Sequence, residues 1–400
     1  MLSTAVMSVL GFGFWWLCAR LFTPDQIGYG TALISGMTLI SYFSLLGVNS
    51  AFIRFLPKSI ERNEELNTGL LLVAGTAVVI SAAYVGLLPW LAPRLDFVRT
   101  NAWFALGFVV LAAMAAINLL TDSVFIAYRA SQYNLLINSI MSLAKLMLPV
   151  AVIGLGAYGI FFASGVAAVL ALGLSVYYMV RRFSYRPEWR IHRAVVGRVF
   201  SFASANYVAN CLNIAPTMAL PLVVVNRLGA AEAGYFYLAF MVANLLYTTA
   251  YSVAQSLFAE GSHSEEELAV LVRRAVTILA LIMVPASALL ALCSPWLLLV
   301  FGKTYSLEAS TTLAVLALAA PALAVYTVAV VLLRVRKQIY SIIAMNVVFA
   351  TVIIGLALAW TGRGLVWAAW AWLVGHIVAG GCGMAMAAWG PRLRRGNRKR

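Results

Sequence analysis

Asn206, Asn210, Asn213 and Thr217 follow one another at spacings of four, three and four residues inside an otherwise apolar segment. That spacing is helical, so the four polar side chains share one face. Amides and hydroxyls of this kind hydrogen-bond to sugars, phosphates and water. In hydrocarbon an unpaired amide costs several kcal/mol, so the face is expected to look into protein or a water-filled cleft. Two further stripes have the same character: Thr31, Ser35, Thr38, Tyr42 and Asn49, and then Asn244, Thr248, Tyr251 and Gln255. A chain with several such stripes is built to hold something polar in mid-membrane.

Charges inside the apolar runs are scarcer. Lys145 falls near the middle of one run and shares a helical face with Asn134 and Asn138. A cation at the bilayer centre costs roughly 3 kcal/mol or more, so it needs an anion, a cavity or the loss of its proton. Asp122, four residues after Asn118, is an acid well inside an expected span and is the candidate for ion coupling. Asp122 and Lys145 could pair across adjacent helices. Depth argues against this, because Asp122 lies near the end of its run beside Arg129, so Lys145 is left to attract an anionic group of a cargo. His376 reads as a packing residue rather than a proton relay. His192, His263 and His376 are too scattered for a metal site. Cys18, Cys211, Cys293 and Cys382 lie in apolar runs without a CxxC, as small packing residues. There is no HExxH, no P-loop and no exposed carboxylate pair. No catalytic residue, metal or cofactor is expected, and an ATP-driven pump within this chain is excluded.

These residues must be positioned by membrane helices. Of 400 residues 63% are hydrophobic and 10% charged, with a mean hydropathy of +0.94. A soluble domain of that balance would expose apolar surface on every side. The apolar runs are long and continuous, unlike the alternating strands of a barrel. The fold class is therefore an all-α polytopic membrane protein with about twelve spans: 2–22, 28–53, 67–90, 102–127, 135–155, 158–180, 199–225, 234–258, 271–300, 307–332, 339–361 and 365–389. A break near Gly156 separates the fifth and sixth. The first run starts at Leu2 without a charged leader or an A-x-A site and reads as a span, not a signal peptide. The net charge of +15 lies between and after the spans, where it sets topology and meets anionic lipid, not nucleic acid. Twenty-one of the 28 Lys and Arg residues fall in the even-numbered loops and the tail and six on the other side. Both termini are expected in the cytoplasm.

A shift of 206 residues places Gly28-Tyr29 on Gly234-Tyr235, Thr38 on Asn244, Tyr42 on Thr248, Asn49 on Gln255, Thr4 on Asn210 and Gly11 on Thr217. Glu61, Glu64 and Glu65 have a counterpart in Glu265, Glu266 and Glu267. Six spans per repeat gives both halves the same orientation, related by a pseudo-two-fold axis along the membrane normal. The expected organisation is a six-helix lobe at 1–180, a basic cytoplasmic linker at 181–198, a second six-helix lobe at 199–390 and a basic tail at 391–400. Spans 1, 2, 7 and 8 would line a cleft, with Pro216 and Pro221, and Gly11 and Gly13, at the points where a wall helix flexes. The competing explanation is that small and polar residues simply glue membrane helices together.

Two stretches then become familiar. Ala19-Arg20-Leu21-Phe22-Thr23-Pro24-Asp25-Gln26-Ile27-Gly28 joins the first two spans, and Leu46-Gly47-Val48-Asn49-Ser50-Ala51-Phe52-Ile53-Arg54-Phe55-Leu56-Pro57 closes the second. Their order resembles the polysaccharide-export and O-antigen flippase branch of the multidrug/oligosaccharidyl-lipid/polysaccharide exporter superfamily. The resemblance implies movement of an undecaprenyl-diphosphate-linked oligosaccharide or polysaccharide precursor across the bacterial cell (inner) membrane, by alternating access around a cationic cavity. It implies membrane lipids as surroundings and glycosyltransferases or a polymerase of the same pathway as partners. Arg20 and Arg54 match its motif arginines, as cargo contacts or, for Arg20, as an interfacial anchor. The chain starts almost inside its first span, whereas relatives carry several residues before it, so either the start is late or that lead is dispensable. Such a cargo wants cations for phosphate and amides for sugar; Trp15, Trp16, Tyr42, Tyr247 and Tyr251 are candidate platforms for sugar rings. The alternatives are a multidrug-type small-molecule exporter, a membrane-embedded glycan polymerase or ligase, and a scaffold.

Overall fold

A computed structural model of the chain describes residues 2–261 and 268–389. His263, the Glu265–Glu267 cluster and the 391–400 tail lie outside the described residues. Every regular element described is helical. The chain forms two compact units, Met1–Tyr237 and Leu238–Arg400.

The first unit holds α1 (Leu2–Leu21), α2 (Pro24–Ser44), α3 (Val48–Phe55), α4 (Arg62–Leu91), the short α5 (Phe97–Thr100), α6 (Ala102–Ala127), α7 (Ser131–Ala151), α8 (Gly156–Phe183), α9 (Arg193–Arg227) and the start of α10 (Ala230–Gly261). Helix α2 packs against α4, α6, α8 and α9, while α1 lies along α7. The first sequence motif explains the start of α2. Thr23 Oγ1 accepts from the Gln26 amide, Gln26 Oε1 accepts from the Thr23 amide and Pro24 opens the helix. This is a capping box with proline where a missing N–H costs nothing. The second motif ends the helix. Leu46 and Gly47 take φ of 48° and 78°, and α3 leaves at 50° to α2. The expected continuous span at 28–53 is therefore two helices with a bend. Phe52 of α3, 1% exposed, seats on Gly69 of α4, where a methyl group would strike its ring.

The break near Gly156 is present: a 3-10 turn at Ile153–Leu155 and a φ of 55° at Gly156 separate α7 from α8. The linker differs from expectation. Helix α8 runs to Phe183 and α9 begins at Arg193, so only residues 184–192 are non-helical, and this strap is bonded to α4. Asn67 accepts from the Tyr185 hydroxyl at 2.6 Å and the Glu188 amide at 2.9 Å, and donates to the Arg186 carbonyl at 2.9 Å. Asn63 takes the Arg186 amide, Thr68 the His192 amide, and Glu64 the His192 ring at 2.8 Å. The polar strap is held because its backbone groups find side-chain partners on one helix face.

The second unit continues α10 and adds α11 (Leu268–Leu292), α12 (Ser294–Leu299), α13 (Lys303–Val335), α14 (Ile339–Trp360) and α15 (Val366–Trp389). Helix α15 packs along α13 and α14. Ten of the described helices are long and apolar enough to cross a membrane, eleven with the bent α2–α3 pair; within α1, Val9–Leu21 is a shorter apolar helix. The chain is a multi-span membrane protein.

Candidate functional site

The first unit carries most of the sequence candidates. Lys145 on α7 is directed at α1, with its Nζ 4.5 Å from the centre of the Phe14 ring and 6.0 Å from that of Trp15. No carboxylate pairs with it among the described residues. The expected competitor, Asp122, is engaged elsewhere: Asn138 Nδ2 donates to its carboxylate at 3.5 Å and Asn134 Nδ2 to its backbone carbonyl at 3.0 Å. The two α7 amides thus hold Asp122. A desolvated cation over an aromatic face gains about 2 kcal/mol, less than the roughly 3 kcal/mol or more that burial costs. Phe14 carried no signal in the sequence, since one more aromatic in an apolar helix is unremarked.

The α9 stripe is directed outward from the first unit. Asn206, Asn210 and Asn213 are exposed and Thr217 is half-buried. Pro216 and Pro221 lie inside α9, which continues through both. In the second unit Asn244, Tyr251 and Gln255 are exposed along α10. The α2 stripe behaves otherwise. Thr31 and Ser35 are buried. The Thr31 and Thr38 hydroxyls donate to carbonyls of their own helix, Gly28 and Ile34. Tyr42 packs against the apolar core of the first unit, and Asn49 lies beyond the bend, on α3. Thr31, Ser35, Thr38 and Tyr42 stay together on α2, and the left-handed residues at 46 and 47 turn the chain before Asn49. Arg20 and Arg54 are exposed, Arg20 over Trp16 at 5.9 Å and Arg54 over Phe55 at 5.6 Å.

The expected platforms divide. Trp15 and Tyr247 are 3% and 0% exposed, so neither ring face is open, whereas Trp16 and Tyr251 are 41% and 43% exposed. Tyr247 is fixed by donating to the Leu316 carbonyl. His376 is a packing residue as expected: it is buried, bonded to the Trp372 carbonyl at 2.9 Å and boxed by Trp372, Tyr326 and Phe349. Gly28 of α2 meets α10 backbone to backbone. A methyl group there would strike the Ala230 carbonyl oxygen, and one at Gly234 would lie 2.5 Å from that of Pro24.

Residues 17–307 match the family of polysaccharide biosynthesis proteins. The chain belongs to that family. No curated protein matches it in sequence. Its fold is similar to those of several solved transporters. An inward-facing multidrug resistance transporter of the MATE family and MOP superfamily has a TM-score of 0.77 at 14% identity, covering 96% of this chain and 93% of that one. The lipid II flippase MurJ, inward closed, has a TM-score of 0.79 at 13% identity, covering 97% and 87%. A MOP superfamily transporter from Pyrococcus furiosus has a TM-score of 0.66 at 12% identity, covering 96% and 92%. At these identities the likeness is one of fold.

Proposed function

We propose that this chain flips a lipid-diphosphate-linked glycan, of the undecaprenyl type, across the bacterial cell membrane by alternating access. Lys145 carries the reading: among the described residues it is a membrane-embedded cation without a carboxylate, only partly compensated by Phe14 and Trp15. A diphosphate is the anion that completes it, and the exposed amides of α9 suit the sugars. The reading includes twelve spans, counting α1 and the α2–α3 pair, in lobes at 1–180 and 199–390. The 206-residue repeat and the mutual approach of Gly28 and Gly234 support that arrangement. Both termini are taken as cytoplasmic on the bias of Lys and Arg. Arg54 would meet cargo where it comes in, and Arg20 where it leaves.

The test measures glycan export and protein level side by side. Lys145→Ala is expected to abolish export with the protein still inserted, and Lys145→Arg to retain part of it. Normal export by a stable Lys145→Ala protein would overturn the cargo-binding role. Drug efflux without any glycan-export defect in a strain lacking the protein would favour the multidrug-type alternative instead.

A further inference from the structure

A polar cavity lies away from Lys145, at the end of the first unit where α6 and α8 stop and α4 begins. It measures about 470 Å³, and its wall includes Arg62, Asn63, Tyr128, Arg182, Ser184 and Tyr185. None of these is among the transport candidates. Its volume is in the range of small-ligand sites.

The wall is built rather than incidental. Arg62 Nε donates to the Ser59 carbonyl at 3.1 Å, and its guanidinium stands 5.9 Å over the Tyr128 ring. Tyr128 in turn stacks on Phe183 at 4.7 Å. Tyr185 is fixed to Asn67 by its hydroxyl and to the Met179 carbonyl by its amide. Ser184 ends α8 with a φ of 54°, which turns the chain into the strap. Neither Arg62 nor Arg182 makes an ion pair with a carboxylate among the described residues. Two of the nearby acids have other partners: Glu64 holds His192 and Glu188 takes Asn63. Two guanidiniums beside a hydroxyl and an amide form a receptor for a phosphate.

The surroundings say where that phosphate comes from. Apolar spans end at this level, so the cavity opens at headgroup depth. Ile60 on its rim is fully exposed and Trp189 on the strap is 94% exposed, with Arg186 and Arg190 to either side of Trp189. Exposed aromatic and aliphatic side chains set among arginines belong at a membrane interface, not in bulk water.

We infer that this cavity binds the headgroup phosphate of an anionic membrane lipid, through Arg62 and Arg182. The site is distinct from the cargo path and does not depend on the identity of the cargo. A bound headgroup would bridge α4, α8 and the strap and so brace the linker.

The test is native mass spectrometry of the full-length protein, titrated separately with phosphatidylglycerol, phosphatidylcholine and inorganic phosphate. Phosphatidylglycerol should bind in preference to phosphatidylcholine. In the Arg62→Gln/Arg182→Gln variant that preference should fall by about fivefold per arginine, roughly 25-fold in all, whereas Arg94→Gln should leave it unchanged. An unaltered preference in the double variant would overturn the site. Equal binding of inorganic phosphate alone would overturn the lipid assignment and leave a soluble phosphate as the ligand. Should the double variant not fold, phenylglyoxal modification of the wild-type protein decides. Phosphatidylglycerol bilayers should protect Arg62 and Arg182 more than phosphatidylcholine bilayers do, and equal modification in both would count against the site.

Discussion

Gly28 and Gly234 touch reciprocally. A methyl group on the first would strike the carbonyl of Ala230, and one on the second the carbonyl of Pro24. Pro24 and Ala230 are separated by the same 206 residues as the two glycines. It is the contact that the proposed two-lobe arrangement would put beside its pseudo-two-fold axis, where residue i meets j and j meets i. Only glycine permits it, since the obstacle in each direction is backbone and cannot rotate away.

Replacement at this contact should therefore be costly. Gly28→Ala and Gly234→Ala are expected to force the helices apart, at about 1–3 kcal/mol for the added methyl group, and to lower protein level or export. Gly86→Ala, with nothing within 4 Å of the new methyl, is the control and should lower neither. Thermal stability in detergent and export in cells measure both.

The strap should depend on Asn67. Asn67→Ala removes three hydrogen bonds, at about 1 kcal/mol each. The expected outcome is at least tenfold faster trypsin cleavage after Arg190, with the helices otherwise intact. Burial, helped by the Glu188 carboxylate, pushes the Tyr185 hydroxyl from its ordinary 10.0 to about 12. The hydroxyl donates while protonated, so its contribution is complete below about pH 10 and lost as pH rises through about 12. Cleavage of the wild type should thus show no Tyr185-dependent rise between pH 7 and 9.

Asp122 should couple to Asn138 and not to Lys145. Asp122→Ala and Asn138→Ala are expected to be non-additive in protein stability, because each removes the same bond. Asp122→Ala and Lys145→Ala should add to within about 0.5 kcal/mol, as independent sites do. Rescue of a Lys145→Ala abundance defect by Asp122→Ala would mean that the two charges do pair.

Orientation is open to a direct measurement. A cysteine at exposed Ser184 should react with an impermeant maleimide only in inside-out vesicles, placing the strap in the cytoplasm. Labelling in intact cells would reverse the topology.

Much of the fold was legible in the residues. Long apolar runs marked the helices, since only a helix satisfies its own backbone in lipid. Gly156 marked a break because its left-handed φ needs no side chain. The scarcity of polar groups marked Lys145, Asp122 and the α9 asparagines, and a histidine inside an apolar run read correctly as packing. The repeat shift pointed to Gly28 and Gly234 before their contact was seen.

The choice of face was not legible. In a chain 63% hydrophobic every side of a helix is apolar, so periodicity cannot say which side meets protein. Packing sent Trp15 and Tyr247 inward and left Trp16 and Tyr251 outside. A hydroxyl can also satisfy itself on its own helix, as Thr31 and Thr38 do, and the sequence looks the same either way. The bend at Leu46-Gly47, the clamp of Asn67 on a strap about 120 residues later in the chain, and the meeting of Arg62 with Arg182 at one cavity were decided by tertiary structure. Those groups become neighbours only once the helices have packed, and apolar surface, being non-directional, fixes that helices associate without fixing which polar groups come together.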